Sequence, residues 1–464
     1  MSRTEFTLSY GTQKRTFSID SGLLRGPQLN PRPFPRGSVS ALEAIRNSLE
    51  HPVGRPRLRD MVAGKIVGLC ISDEFRAGLQ AQIAEAMMLE IDAGKPAQLR
   101  VFIATGTHDP AVYCKNLAPL VEKIGERLSC PLRVIRHDCD RSRFVDVGTT
   151  PLGTLVRVEA DWMETEVRVH GHEAKHHYMA GYSMIDKHIV PGVASRLTVE
   201  QNHKRSLSPN SAAGRNPWVA DPARQDNPFS IDGRDARALT ERFLLLPDGT
   251  LAEQHVDTFA LDMISEKEDV FWVLSGDPTL ICREVPAKAD EVALYTVEPA
   301  RYVVISPGGP PASTALYGVQ NCFDMALLGA IEKGGEALVV APCDGRPDLP
   351  DGVRGIAPDA KSTELFWANL VRLRDTPLDE CFQYISDHFE LYMWKTYRVL
   401  RNFKQDRLRI YLHTQLPDDL VRQGGFLPAP DIDAWVRERE ARGDGAFRVI
   451  DGGNKLCVVS GRTP

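Results

Sequence analysis

The chain has 464 residues, 42% of them hydrophobic and 25% charged, with a formal net charge of −6 at pH 7. That is a globular composition on a length greater than one ordinary core needs, so two domains are expected. Lys and Arg are scattered without a basic run, which argues against nucleic acid as a partner, and no apolar run approaches bilayer length, which argues against a membrane.

The first twenty residues, "MSRTEFTLSYGTQKRTFSID", alternate apolar and polar side chains as strands do and contain no signal-peptide core. Residues 26–38 are Pro-rich and read as a surface connection, followed by a short helix from Ser40 to Glu50. "KIVGLCIS" (65–72) predicts a buried strand, 75–94 a helix ending at Gly94, and 99–105 a second strand. Residues 110–128 predict a second helix with proline near its first turn, and 132–138 a third strand. This alternation implies parallel pairing through right-handed crossovers. Residues 149–171 read as a β-hairpin, and 204–238, rich in Ser, Pro, Asn, Asp and Arg, as a long exposed loop. A second α/β block starts near Asp269, with a strand at 301–307, a helix at 323–335 and a strand at 336–345. The expected fold class is α/β: two α/β domains with mostly parallel sheets and an active-site cleft between them. Their expected bounds are 1–262 and 263–427, with a segment, 428–464, returning to the N-terminal domain.

The nine cysteines are widely spaced, odd in number and without a C-x-x-C pair, as suits reduced thiols in a cytoplasmic protein. Two polar groups leave the ends of predicted parallel strands, where open α/β sheets bind ligands. The first is Asp73-Glu74-Phe75-Arg76 and the second Gly106-Thr107-His108-Asp109. Arg76 suits bidentate capture of a carboxylate or phosphate, and His108 suits proton transfer near neutral pH. Each also reads as an ordinary loop residue.

Six of the twelve histidines lie between His170 and His203. Residues 172–176 spell H-E-A-K-H, the zinc-hydrolase pattern, which needs His172 and His176 on one helix face, Glu173 as base and a third ligand such as Glu200. Local histidine enrichment also yields that pattern by chance. The stretch leaves a predicted strand and meets Gly181 soon after, so a helix there has little room. Lys187, in "GYSMIDK", lacks the second glycine and the Ser/Thr of a P-loop, and reads on type alone as a solvated lysine.

Taken together, "ATGTH" (104–108), the pattern H-x-x-A-G-Y-S-x-x-x-K-x-I-x-P-G (177–192) and "NH" (202–203) resemble the nickel-dependent lactate racemase family. "DEFR" (73–76), "VGTTPLGT" (147–154), "GRNP" (214–217), "SPGGPP" (306–311) and "EKGGEALVVAPCDG" (332–345) extend the resemblance from near Tyr10 to Gly345. It implies racemisation or epimerisation at C2 of a 2-hydroxy acid, using a nickel pincer nucleotide, nickel pyridinium-3,5-bisthiocarboxylic acid mononucleotide. By this resemblance Lys187 is the covalent tether, His203 the nickel ligand, and His108 and His177 the acid/base pair. Asp73, Arg76, Thr105, Gly106 and Thr107 would contact the cofactor, and Arg76 the substrate as well. Implied partners are the 2-hydroxy acid and the cofactor-making enzymes.

The chain departs from that family's pattern in two places. The usual "SGG-x-K" is "SMID-K", with Met184 and Ile185 replacing glycines beside the tether. A "LYQ-x-x-K" segment that contacts substrate is "LYGVQN" (316–321), so Gly318 and Asn321 stand at the substrate positions and one cation is lost. A wider, less cationic pocket suits a larger or polyhydroxylated 2-hydroxy acid better than lactate. Trp367 matches a pocket-lining tryptophan. The rival reading on the same residues is a nickel- or cofactor-binding homologue without turnover.

Overall fold

The computed structural model describes residues 2–74, 78–345 and 354–461; Arg76 lies outside them. The chain forms a six-stranded sheet and a five-stranded sheet, with short hairpins around them. Across the first sheet the strands are Asp269–Gly276, Asp257–Glu266, Val167–Glu173, Ile66–Ser72, Gln98–Ala104 and Leu132–Arg136. Only the pairing of the first two is antiparallel; the other four pairings are parallel. The α/β class with mostly parallel sheets therefore stands.

The apolar strand runs follow from burial on both faces. In Ile66–Ser72, Val67, Leu69 and Ile71 face a core cluster with Ile83 and Met87 of helix Gln80–Ala93, while Cys70 belongs to a different cluster with Phe102 and Trp162. The second sheet runs Leu427–Pro428, Arg409–His413, Ile331–Val340, Ala300–Ile305, Phe447–Ile450, all parallel. One of its faces carries Val303, Ile305, Ala337 and Val339, in the same cluster as Cys70 and Phe102. The two sheets thus share a core. The other face carries Tyr302, Val304 and Leu338 and is covered by Phe6, Leu8 and Phe17 of the hairpin Arg3–Tyr10/Gln13–Asp20 and by Trp435.

Several expectations change. The 262/263 boundary falls inside strand Asp257–Glu266, and the N-terminal hairpin packs on the second sheet. Residues 428–464 do not return to the first sheet: Phe447–Ile450 pairs with Ala300–Ile305 and Cys457–Ser460 with Leu294–Val297. The 149–171 hairpin is instead Phe144–Thr149 paired with Leu155–Glu159, and Val167–Glu173 is a central parallel strand. The helix at 110–128 is two helices, Pro110–Tyr113 and Leu117–Gly125. The helix expected over 323–335 ends at Ala330, where strand Ile331–Val340 starts.

The supposed loop 204–238 is mostly buried or half-buried and contains most of helix Pro228–Glu241. Its polar residues are internal ligands of the backbone. Asn216 and Ser230 donate to the Ala180 carbonyl at 3.2 and 2.7 Å, and Asn227 donates to Met179 at 2.9 Å. Asp232 accepts from Thr150, Thr154 and Asn202. All nine cysteines are unbridged, and no helix among the described residues is long and apolar enough to cross a membrane.

Arg398, on helix Met393–Lys404, ties these layers together. Its Nε pairs with Asp324 at 2.9 Å, both side chains being wholly buried. Its other nitrogens donate to the carbonyls of Ser206, Ser211 and Tyr178. Arg398→Met should cost about 3–5 kcal/mol in urea unfolding, because it strands Asp324 as an uncompensated buried charge. The double variant Arg398→Met/Asp324→Leu should recover much of that loss.

Candidate active site

In the first sheet, the strands at 66–72, 98–104 and 132–136 succeed one another in one direction, and those at 167–173 and 257–266 in the other. The order reverses between Ile66–Ser72 and Val167–Glu173, and the crevice beyond the carboxyl ends of such a pair is where open sheets bind ligands. A cavity of about 810 Å³ opens there. It is lined by Asp73, Thr105, Gly106, Thr107, His108, His177, Lys187 and His203 from the first half of the chain. Tyr317, Asn321, Tyr392, Trp394 and Lys395 line it from the second.

Asp73, 2% exposed, directly follows its strand, and its Oδ2 accepts from His108 Nδ1 at 2.7 Å. A neutral His108 held this way carries its lone pair on Nε2. His177 has the opposite bonding: its Nδ1 accepts from the amides of Met179 and Ala180, at 3.3 and 3.2 Å. Its neutral ring therefore carries the proton on Nε2. The cavity has one imidazole set up as a base and one as a donor.

The turn holding His108 is shaped by Gly106, at φ +57°, whose amide donates to the Gly192 carbonyl at 3.1 Å. This contact locks the turn to the loop after Lys187. It also spends amides expected to meet a ligand. The His108 amide donates to the Thr105 carbonyl, and the Thr105 hydroxyl to the His137 carbonyl at 2.6 Å.

Lys187 lies in the 3-10 turn Ile185–His188. Met184 and Ile185 are buried in a core cluster with Tyr182 and Ile281 and do not line the cavity, so they set the turn's path without filling the site. Asp186 pins the turn through Arg237 at 2.6 Å and Trp218 at 3.2 Å. Gly181, at φ +73°, passes so close to the Arg215 carbonyl that no Cβ fits.

His203 sits on helix Arg196–Lys204, and its Nδ1 donates to the Val199 carbonyl at 2.8 Å, which leaves Nε2 as the lone-pair nitrogen. Burial first, and then the Lys187 charge, push its pKa down to about 3. It is a neutral imidazole with an oriented lone pair, as a soft or borderline metal requires.

Other expected residues are not brought to the cavity wall. Gly318 does not line it; its carbonyl accepts from Asn454 at 3.3 Å. Trp367 is buried in the core against Gly424, and the tryptophan on the wall is Trp394. Lys395 was not anticipated, since a lysine in "MWKTYRV" reads as an ordinary helix residue.

The H-E-A-K-H segment forms no helix. His172 and Glu173 end a strand, and His176 lies in the next, Lys175–His177. His172 bonds Asp262 at 3.0 Å, His176 bonds Asp290 at 2.9 Å, and Glu173 accepts from Leu79, Gln80 and Ser265. The zinc reading is therefore corrected: the two histidines serve separate carboxylates, and Glu200 is not on the cavity wall. Among the described residues one trio, Cys70, His170 and His188, has metal-ligating atoms within 4.8 Å of one another. Burial raises the Cys70 thiol well above its usual range and lowers His170, so neither of these two groups is charged in the core.

Comparison with known proteins agrees with this layout. Residues 10–214 match the Lactate racemase N-terminal domain. The chain is 25% identical over 340 residues to a lactate racemase of Thermoanaerobacterium thermosaccharolyticum, spanning 72% of this chain and 74% of that protein. A Lactiplantibacillus plantarum lactate racemase is 27% identical over 217 residues, 45% of this chain and 49% of that one. In fold, the chain is similar to the lactate racemase apoprotein of T. thermosaccharolyticum, with a TM-score of 0.72 and 19% identity over 99% of this chain and 100% of that one. A Thermotoga maritima protein follows at 0.59 and 15%, over 92% and 100%. The fold and cavity are those of an α/β protein with a ligand site at a strand-order reversal. Residues 10–214 carry the likeness to the Lactate racemase N-terminal domain, and along 72% of its length the chain is similar to a lactate racemase.

The low His203 pKa has a consequence for stability. The folded protein holds His203 neutral while the unfolded chain protonates it near its ordinary value of 6.5. The unfolded state then binds the extra proton, so this group destabilises the fold as pH falls from about 6.5 towards about 3. Urea midpoints measured between pH 7 and 4 should fall less steeply in His203→Gln than in the wild type.

Proposed function

We propose that this protein is a racemase or epimerase acting at C2 of a 2-hydroxy acid with a lysine-tethered nickel pincer nucleotide. The observation carrying the reading is the convergence of His108, His177, Lys187 and His203 on one cavity, with the two candidate acid/base rings in opposite tautomers. The donor chemistry fits the group. His203 offers a neutral Nε2 with its other nitrogen tied to backbone, and Lys187 offers an amine on a turn pinned by Asp186. When bound, the cofactor supplies an electrophilic carbon that accepts hydride from substrate C2.

The protein's own work is proton handling and orientation. His108 Nε2 takes the C2 hydroxyl proton, and Asp73 stabilises the imidazolium that results. His177 Nε2–H donates a hydrogen bond to the substrate oxygen without losing its proton, and the proton held on His108 returns to that oxygen when C2 regains its hydrogen. For the reverse direction the roles exchange, which requires the His177 ring to release two amide contacts of 3.2 and 3.3 Å. Inversion needs such a group on each side of the planar 2-keto acid. The cavity volume of about 810 Å³ supports a substrate larger than lactate beside the cofactor. Partners on this reading are that small molecule and the enzymes that build the cofactor.

Intact mass and peptide mapping of protein co-expressed with those enzymes should find the adduct on Lys187; active protein with an unmodified Lys187 would sink the tether. Chiral chromatography over a panel of 2-hydroxy and aldonic acids should reveal C2 inversion. His108→Ala and His177→Ala should each lose about 10²–10⁴-fold of that rate, whereas His172→Ala should retain it.

A further inference from the structure

We propose that Lys395 is the carboxylate anchor of this site, a buried ammonium on the cavity wall that binds the acid group of the ligand. The assignment rests on the 2-hydroxy acid reading above. Lys395 belongs to the first turn of helix Met393–Lys404 and is 1% exposed. Its Nζ donates to the Tyr317 carbonyl at 2.5 Å and to Asn321 Oδ1 at 2.7 Å. It lies 4.0 Å from the Tyr317 ring centroid and 5.1 Å from that of Tyr178. An ammonium has three N–H donors, and these bonds use two.

What this cation lacks is an anion. Among the described residues no carboxylate lies within ion-pairing distance of it. The acid whose charge reaches it, Asp324, is committed to Arg398 at 2.9 Å and to Gln320 at 2.5 Å. The Tyr317 phenol cannot substitute, because burial pushes it well above its usual range. A buried charge without a partner is expensive, and a ligand carboxylate is the missing partner. Burial, opposed by Asp324 and reinforced by Arg398, draws the amine down to about 7, so near neutral pH it is charged only in part until an anion pairs with it.

The remaining cations on the wall differ in kind. Arg32, Lys175, Lys267 and Lys455 are exposed; Arg32 donates to the Glu291 and Leu294 carbonyls, and Lys455 pairs with Glu266 at 2.6 Å. Lys187 is committed to the tether on the reading above. Lys395 is also in the right neighbourhood. The Tyr178 ring that it faces stacks on His177 with centroids 4.6 Å apart. In a 2-hydroxy acid the carboxyl group and the hydroxyl are both carried on C2, so anchor and acid/base group must be near neighbours. The cation expected to be lost at Asn321 is thus present, supplied from another helix and held by Asn321 itself.

Titration calorimetry of the cofactor-free chain with a 2-hydroxy carboxylate and with its neutral amide tests this. Wild type should prefer the carboxylate. Lys395→Met should weaken carboxylate binding about 10–100-fold, the range of a charged hydrogen bond, and leave the amide unchanged. Lys395→Met/Asn321→Lys should regain the preference. In loaded enzyme, KM should rise with a smaller change in kcat. Should Lys395→Met fail to fold, acetylation of Lys395 in wild type, read by mass spectrometry, must be blocked by the carboxylate and not by the amide. An unchanged preference in folded Lys395→Met, or no protection, overturns the anchor. If no panel acid is inverted yet carboxylate binding depends on Lys395, the racemase reading falls and the anchor stands.

Discussion

The Arg398–Asp324 pair is the fastening on which the site's geometry depends. It joins the helical segment that ends at Ala330 to helix Met393–Lys404, and the same guanidinium holds the carbonyls of Ser206, Ser211 and Tyr178. Those carbonyls belong to the segments that carry His203 and His177. Arginine suits this task because a planar fork with five donors satisfies one carboxylate and several carbonyls in a single buried place. The cavity walls come from distant parts of the chain, and their register is set by this interaction together with the core shared between the sheets.

The sheet strands were legible because buried parallel strands write themselves as apolar runs, as "KIVGLCIS" and "LRVFIAT" do. The 204–238 segment was not, and the reason is physical. Polarity predicts exposure only when the polar groups are satisfied by water. Here Asn216, Asn227 and Ser230 satisfy backbone carbonyls around Met179 and Ala180, so a polar sequence forms an interior. The domain bounds were misread for another reason. Nothing local in Phe6, Leu8 or Phe17 says that their partners are Tyr302 and Trp435.

The site shows the same division. Strand exits pointed to Asp73 and His108, and the family resemblance pointed to His177, Lys187 and His203. The tautomers could not be read, since they depend on which atoms meet Nδ1: a carboxylate for His108, two amides for His177. Lys395 was invisible because its meaning lies in what is missing around it. The concern over Met184 and Ile185 dissolved for a related reason: a bulky residue beside a reactive lysine obstructs only if it points the same way, and these point into the core.

The placement of the N-terminal hairpin bears on how the chain is made. Phe6, Leu8 and Phe17 cover a sheet whose edge strand is Phe447–Ile450, and Leu24 and Leu29 form bridges to that strand. The hairpin is therefore made about 430 residues before the strand that completes its face, and its apolar side waits through the synthesis of everything between. Such long-range closure is slow and leaves an adhesive hairpin uncovered, a natural client for a folding helper.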